Sequence, residues 1–184
     1  MSDGIVAPHP PVTRALREVA AACKKAGMQV VDWVSSTTRR GRLPVLHYWK
    51  DVLSVLAEAE ESALPLTEFI INEQPNAKGR RLCELWEISL QRSKYRTDYV
   101  RHWVNTANDD GREVDMILGP AYPGAAPPHD CARCWPYTST WNIIDYPAAI
   151  FPLAMVSSDD EKDLSYVPMN ALDKHNYDRY EKEI

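Results

Sequence analysis

Pro10-Pro-Val-Thr-Arg-Ala-Leu-Arg-Glu-Val-Ala-Ala-Ala-Cys-Lys-Lys-Ala-Gly-Met-Gln-Val-Val-Asp-Trp33 is the stretch on which the reading of the fold turns. Prolines at the start of a helix lose little, because the first N–H groups have no partner within the helix. Val12, Leu16, Val19, Ala20 and Cys23 follow at helical spacing. Lys24 and Lys25 suit the negative end of the helix dipole, and Gly27 suits its left-handed cap. The apolar run Met28 to Trp33 then reads as a buried strand. Helix, glycine and buried strand in succession predict an α/β architecture.

The same pattern extends outward. Ser35 to Pro44 is polar and basic, hence a loop, and Val45 to Ser62 carries Leu46, Trp49, Val52, Leu53 and Leu56 at helical spacing. Pro65 to Lys78 reads as an irregular connection. Arg81 to Thr106 reads as a long amphipathic helix whose apolar stripe includes Leu82, Leu85, Trp86, Leu90, Tyr99, Val100 and Trp103. Asn108-Asp-Asp-Gly111 stops it, and Val114 to Leu118 is a second expected strand. Residues 119–136 hold Pro120, Pro123, the Pro127-Pro128 pair and Pro136, and read as a long proline-rich loop of the functional kind. A short helix from Thr138 to Asp145, a third strand from Ala148 to Val156 and a helix from Asn170 to Ile184 complete the pass. The expectation is one α/β domain with about three strands flanked by four or five helices; the mixed sheet to which such strands would belong is implied only by the resemblance given below.

Composition excludes several functions. With 21 basic and 26 acidic residues in 184, the chain carries a formal charge of −5, unlike the basic footprint of a nucleic-acid binder. No apolar run approaches the ~20 residues needed to cross a bilayer. The N-terminal residues have neither a basic nor an apolar signal region. A cytoplasmic setting with reduced thiols is therefore expected, without nucleic-acid or membrane partners.

Candidate chemistry is sparse. Cys131-Ala-Arg-Cys134, with His129 nearby, has the spacing of a metal clamp or redox pair. A structural zinc needs four ligands, however, and there is no second Cys-x-x-Cys; Cys23 and Cys83 stand alone. These are read as loop thiols, with no metal and no cofactor expected. His9, His47, His102, His129 and His175 are scattered and read as surface or capping residues, and Trp49, Trp86 and Trp103 as core. Ser35-Ser36, Ser139 and Ser157-Ser158 would each need a base and converging backbone N–H groups to act as nucleophiles. Such N–H clusters favour glycine, and the seven glycines are all isolated. The serines are read as loop and capping residues, and no catalytic residue is assigned.

Against that background, Asp115-Met-Ile-Leu-Gly-Pro-Ala-Tyr-Pro-Gly-Ala-Ala-Pro-Pro-His129 resembles the strand and loop that approach the pocket in the amidase signature family, in its fungal acetamidase-like branch. Tyr137-Thr-Ser-Thr-Trp-Asn-Ile-Ile-Asp-Tyr-Pro-Ala-Ala-Ile-Phe-Pro152 resembles that family's Thr-x-x-x-Asn-x-x-x-x-Pro-Ala motif. The segments Asp3 to Leu16 and Gly27 to Trp33 are similar to the same branch. The resemblance implies a carboxamide hydrolase-like polypeptide covering a middle-to-late slice, 1–184, of the amidase signature fold. The family's catalytic lysine and two serines lie upstream of the matched part, which implies a chain inactive on its own. It also implies that Thr138, Trp141 and Asn142 line or support the substrate channel. The partners expected are a small amide once the fold is completed, and a complementary amidase fragment or a second copy of the chain. A free-standing pseudoenzyme that binds a small molecule or a protein is the alternative.

Overall fold

The computed structural model describes residues 4–33, 50–73 and 79–180. Six α-helices and one π-helical stretch occur among them: α1 (Pro10–Lys25), α2 (Lys50–Glu58), α3 (Pro65–Glu68) continuing into π-helical Phe69–Glu73, α4 (Leu82–Val104), α5 (Pro136–Ile144) and α6 (Ala171–Asp178). Ser35, Ser36, Leu46, His47 and Trp49, and the expected loop from Ser35 to Pro44, lie outside the described residues.

Helix α1 forms as its sequence dictates. Its prolines occupy the first turn and its lysines the last. Gly27, at φ +85°, ends it. The Gly27 N–H reaches the Lys24 carbonyl and the Met28 N–H the Cys23 carbonyl, both at 3.0 Å, the paired bonds of a Schellman cap. Leu16 and Pro11 are its buried residues. Helix α4 begins with half of a capping box, in which the Arg81 N–H donates to the Glu84 carboxylate at 2.8 Å. Past its end, Asn108 builds a tight turn: its Oδ1 accepts the N–H groups of Asp110 and Arg112, and Gly111 sits at φ +74°.

The expected α/β class is overturned. No strand or sheet is present among the described residues; Met28–Trp33, Val114–Leu118 and Ala148–Val156 all run as irregular chain. A strand is defined by its neighbour, and these three segments do not pair with one another. Their backbone groups instead find side chains: the Val114 N–H donates to Thr106 Oγ1 at 3.1 Å, and the Met155 carbonyl accepts from Arg14 Nη2 at 2.8 Å. Most of their side chains face solvent, Met116 being 77% and Met155 88% exposed, while Trp33 and Ile117 pack on the core. The apolar composition that suggested strands covered on both faces is real; the covering layers are not supplied within the described residues. The connection from Pro65 is also more regular than expected, because Pro65 initiates a helical turn that runs on to Glu73.

The core is small and aromatic. Tyr95 and Tyr99 of α4 and Ile144 of α5 are buried together, with Trp33, Trp103, Trp141 and Tyr146 packed around them. Tyr99 and Trp103 each meet Tyr146 edge-on, with ring centroids 6.1 and 5.9 Å apart. Trp33 lies 4.5 Å from His102. The sequence-derived stripe on α4 is therefore only half right. Tyr99 is inside and Trp103 half-buried, but Trp86, read as core, is 62% exposed, and Leu82, Leu85, Leu90 and Val100 are exposed as well.

Candidate functional site

Thr138, Trp141 and Asn142 share α5, at the three- and four-residue spacing that places side chains on one helix face. Pro136 opens the helix, and no side chain caps it. Thr138 Oγ1 turns back to donate to the Trp135 carbonyl at 3.3 Å. At the other end Asp145 adopts the left-handed conformation, φ +65°, and its N–H returns to the Trp141 carbonyl at 2.9 Å. Two guanidinium groups of α4 hold this negative helix end: Arg92 Nε donates to the Ile143 carbonyl at 3.2 Å, and Arg96 lies 3.5 Å from the Asp145 carboxylate. The three residues experience different surroundings. Trp141 packs on the Tyr95–Tyr99–Ile144 core, Thr138 is half-buried and Asn142 is exposed.

The chain leading into α5 is positioned by His9. The imidazole is buried between three elements. The Ala125 N–H donates to Nδ1 at 3.0 Å, so Nε2 carries the proton and donates to the Asn176 carbonyl at 2.8 Å. The His9 N–H donates to the Pro123 carbonyl at 2.7 Å. Burial holds the imidazole pKa below its usual value, outweighing the Asn176 carbonyl, which favours the charged form. A Cβ at Gly124 would meet His9 Cε1 at 3.0 Å and Asn176 Oδ1 at 3.1 Å, so the loop can approach this closely only through glycine.

Helix α6 closes the arrangement with residues three apart. Asn170 caps the helix by accepting from the Leu172 and Asp173 N–H groups, and its Nδ2 donates to the Ile5 carbonyl at 2.7 Å. Asp173, fully buried, accepts the Ala7 N–H on Oδ1, and the Tyr166 hydroxyl and Met169 N–H on Oδ2, at 2.6 to 2.9 Å. Burial, and then this bond to Asp173, push the Tyr166 phenol up to about 12. Asn176 Nδ2 donates to the Ala7 carbonyl at 3.0 Å. Tyr137 of α5 reaches the Val6 carbonyl at 2.8 Å. Nearby, Arg14 holds both oxygens of the buried Asp160 carboxylate at 2.8 and 2.9 Å, which keeps its pKa below the usual range.

Sequence reading missed this clasp. His9 was expected at the surface or in a capping role, and it is instead the buried junction of α1, the proline-rich stretch and α6. The asparagine and aspartate spacing 170, 173, 176 is its one sequence-level signal. The cysteine pair also differs from expectation. Cys131 is half-buried and Cys134 is buried, its Sγ 3.9 Å from the Leu172 carbonyl, so the pair is not an exposed loop feature. His129 is exposed, while His175 Nε2 lies 3.4 Å from the Cys131 carbonyl. Among the described residues no group of three or more His, Cys, Asp or Glu is placed to hold a metal ion. Ser157 Oγ accepts the Asp159 N–H at 3.3 Å within its own turn. No described helix is long and apolar enough to cross a membrane.

Comparison with known proteins places this geometry. The family model described as Amidase matches residues 1–174. The chain is 35% identical to "Putative amidase C550.07" of Schizosaccharomyces pombe, over 99% of this chain and 34% of that protein. It is 30% identical to an acetamidase of Emericella nidulans, over 98% of this chain and 34% of the relative. Among solved structures, a fatty acid amide hydrolase superposes with a TM-score of 0.81 at 25% identity, over 98% of this chain and 32% of that one. The chain thus spans about a third of the length of the relatives it matches.

Proposed function

The chain belongs to the amidase family, and from that premise we propose that it is the channel-side segment of a carboxamide hydrolase, carrying substrate-facing residues but not the catalytic ones. The observation that carries this reading is coverage: nearly the whole chain matches, yet it spans only about a third of its amidase relatives. Amide hydrolysis requires a nucleophile, a base that takes its proton, and donors that hold the developing oxyanion. The resemblance ascribes these to a lysine, two serines and glycine-rich backbone, and the 184 residues contain no such stretch. In this reading α5 supplies part of the channel. Trp141 gives an apolar wall anchored in the core, while Thr138 and Asn142 give polar handles near it. The clasp around His9 sets the position of α5 relative to the loop that precedes it.

The test is ammonia release from acetamide and benzamide. The purified chain is expected to release none above buffer. Supplying the remaining two-thirds of a fungal amidase as a separate polypeptide is expected to restore turnover, and Asn142→Ala is expected to weaken it several-fold. Hydrolysis by the chain alone, abolished by Ser→Ala at position 35, 36, 139, 157 or 158, would overturn the proposal. Measurable binding of a small amide by the isolated chain, without turnover or complementation, would favour the pseudoenzyme reading instead; the self-contained clasp is the feature that favours it.

A further inference from the structure

The proline-rich stretch is held at two points by two histidines, and an added proton acts on them unequally. At one point the Ala125 N–H donates to His9 Nδ1 at 3.0 Å. At the other, the Arg179 guanidinium occupies His175 Nδ1 at 2.9 Å, so Nε2 carries the proton and reaches the Cys131 carbonyl at 3.4 Å. His9 thus holds the chain as an acceptor, and His175 holds it as a donor. An imidazolium has two donors and no acceptor. Protonation therefore sets a His9 Nδ1–H against the Ala125 N–H. The Nε2–H groups go on donating, His9 to the Asn176 carbonyl at 2.8 Å and His175 to the Cys131 carbonyl, and a charged donor binds more tightly than a neutral one.

The flanking anchors set how far such an opening spreads. Pro123 is fully buried, and its carbonyl accepts the His9 backbone N–H at 2.7 Å, a bond that no titration touches. Cys134 is buried on the far side. Between them Ala126, Pro128, His129 and Asp130 are exposed, and Gly124, without a β-carbon, supplies the hinge. The groups that face His9 from its neighbours do not offset an added charge. From α6 comes Asp173, whose oxygens are taken by the Ala7 and Met169 N–H groups and the Tyr166 hydroxyl. Just past α6 the Tyr180 ring lies 4.8 Å from the imidazole, and its hydroxyl donates to the Asp160 carbonyl. The Asp160 carboxylate is held by Arg14 of α1. Lys162 opposes a second positive charge, and burial keeps the Tyr122 phenol of the loop neutral. We propose that residues 125–130 form an acid-opened flap, released at Ala125 when His9 takes up a proton, while the Cys131 end stays in place. Release falls below pH 6.5, because burial disfavours the charged ring. The device lies in the ring nitrogens and is independent of the activity proposed for α5.

The test is residue-resolved hydrogen exchange on the 184-residue chain between pH 7.5 and 5, each rate referred to that of an unstructured chain at the same pH. Protection of the Ala125 N–H is expected to fall by about tenfold for each pH unit below the point at which His9 titrates. The Tyr95 and Tyr99 N–H groups of α4, and the Cys134 N–H, which is hydrogen-bonded to the Tyr122 hydroxyl, should keep theirs. Ring-nitrogen NMR of the unmodified chain should place His9 protonation at the same midpoint. In His9→Gln, which takes up no proton, protection at Ala125 should not depend on pH. A His9 that is protonated while Ala125 stays protected would overturn the flap. So would a fall at Ala125 shared at the same pH by α4, which is global unfolding, or by Cys134, which is release of both ends. A fall that persists in His9→Gln would assign the change to another group and overturn it as well.

Discussion

His9 carries the neutral form of a side chain whose ordinary titration lies near pH 6.5, and both ring nitrogens are committed to backbone partners. Protonation would place a proton on Nδ1 against the Ala125 N–H. Because burial lowers the folded pKa, the unfolded chain binds the proton more readily, and stability declines as pH falls below about 6.5. His175, also lowered by burial, contributes in the same sense. Thermal unfolding followed by circular dichroism between pH 7.5 and 5 should show a falling midpoint, with a shallower slope in His9→Gln. An unchanged slope in that variant would mean that His9 is not the titrating group. Asp173 allows a sharper test. Asp173→Asn would turn an amide N–H₂ toward groups that donate to the carboxylate, leaving buried donors without acceptors. A loss of about 1–3 kcal/mol is expected in urea unfolding, and a loss below ~0.5 kcal/mol would show that the clasp relaxes around the substitution. Neither residue stands out in the sequence, since a lone histidine and a lone aspartate acquire this meaning only when distant segments meet.

At the scale of elements, helices were legible and strands were not, for one physical reason. The bonds of a helix lie within about one turn, so α1, α4 and α5 could be located from capping residues and spacing, with their ends within a few residues of the observed ones. Gly27 is an example: it was assigned as the cap, and its φ of +85° is what a β-carbon resists. Gly27→Ala should lower stability by about 1–2 kcal/mol, provided the helix end does not rearrange; a neutral result in chemical denaturation would show that it does. The segments Met28–Trp33, Val114–Leu118 and Ala148–Val156 have strand composition, but a strand also requires a neighbour outside itself. The faces of α4 went wrong for a related reason. Two apolar sides were merged into a single stripe, although only the side bearing Tyr95 and Tyr99 meets the core. For the candidate site, Thr138, Trp141 and Asn142 rest on the sequence resemblance, and the proline-rich loop before them is legible from its composition, whereas the clasp that ties that loop to α1 and α6 is not, because its partners lie more than 100 positions apart.

Exposed large hydrophobic residues are distributed over α2, α4 and the three unpaired segments. Exposed apolar surface of this kind, where it is contiguous, marks contact sites or drives aggregation. The isolated chain should therefore bind a hydrophobic dye strongly and scatter light increasingly with concentration. If the proposed function holds, co-expression with the two-thirds of an amidase relative that this chain does not span should suppress both signals. A dilution series that stays at ~21 kDa without dye binding, and with a single cooperative thermal transition, would show that the chain covers these surfaces by itself.

The clasp also has a consequence in time. Ala7 and Asp173 are 166 positions apart, and the bond between them cannot exist until both have been made. At roughly 5–20 residues per second of synthesis, residues 5–9 spend roughly 8 to 30 s outside the peptidyl-transfer centre, or within the exit tunnel, before Asp173 is joined to the chain. Throughout that interval α1 can form from its own sequence, but the segment ahead of it has no fixed place to lie. Anything that engages this segment during synthesis meets it unpaired, and α6 is the helix that withdraws it.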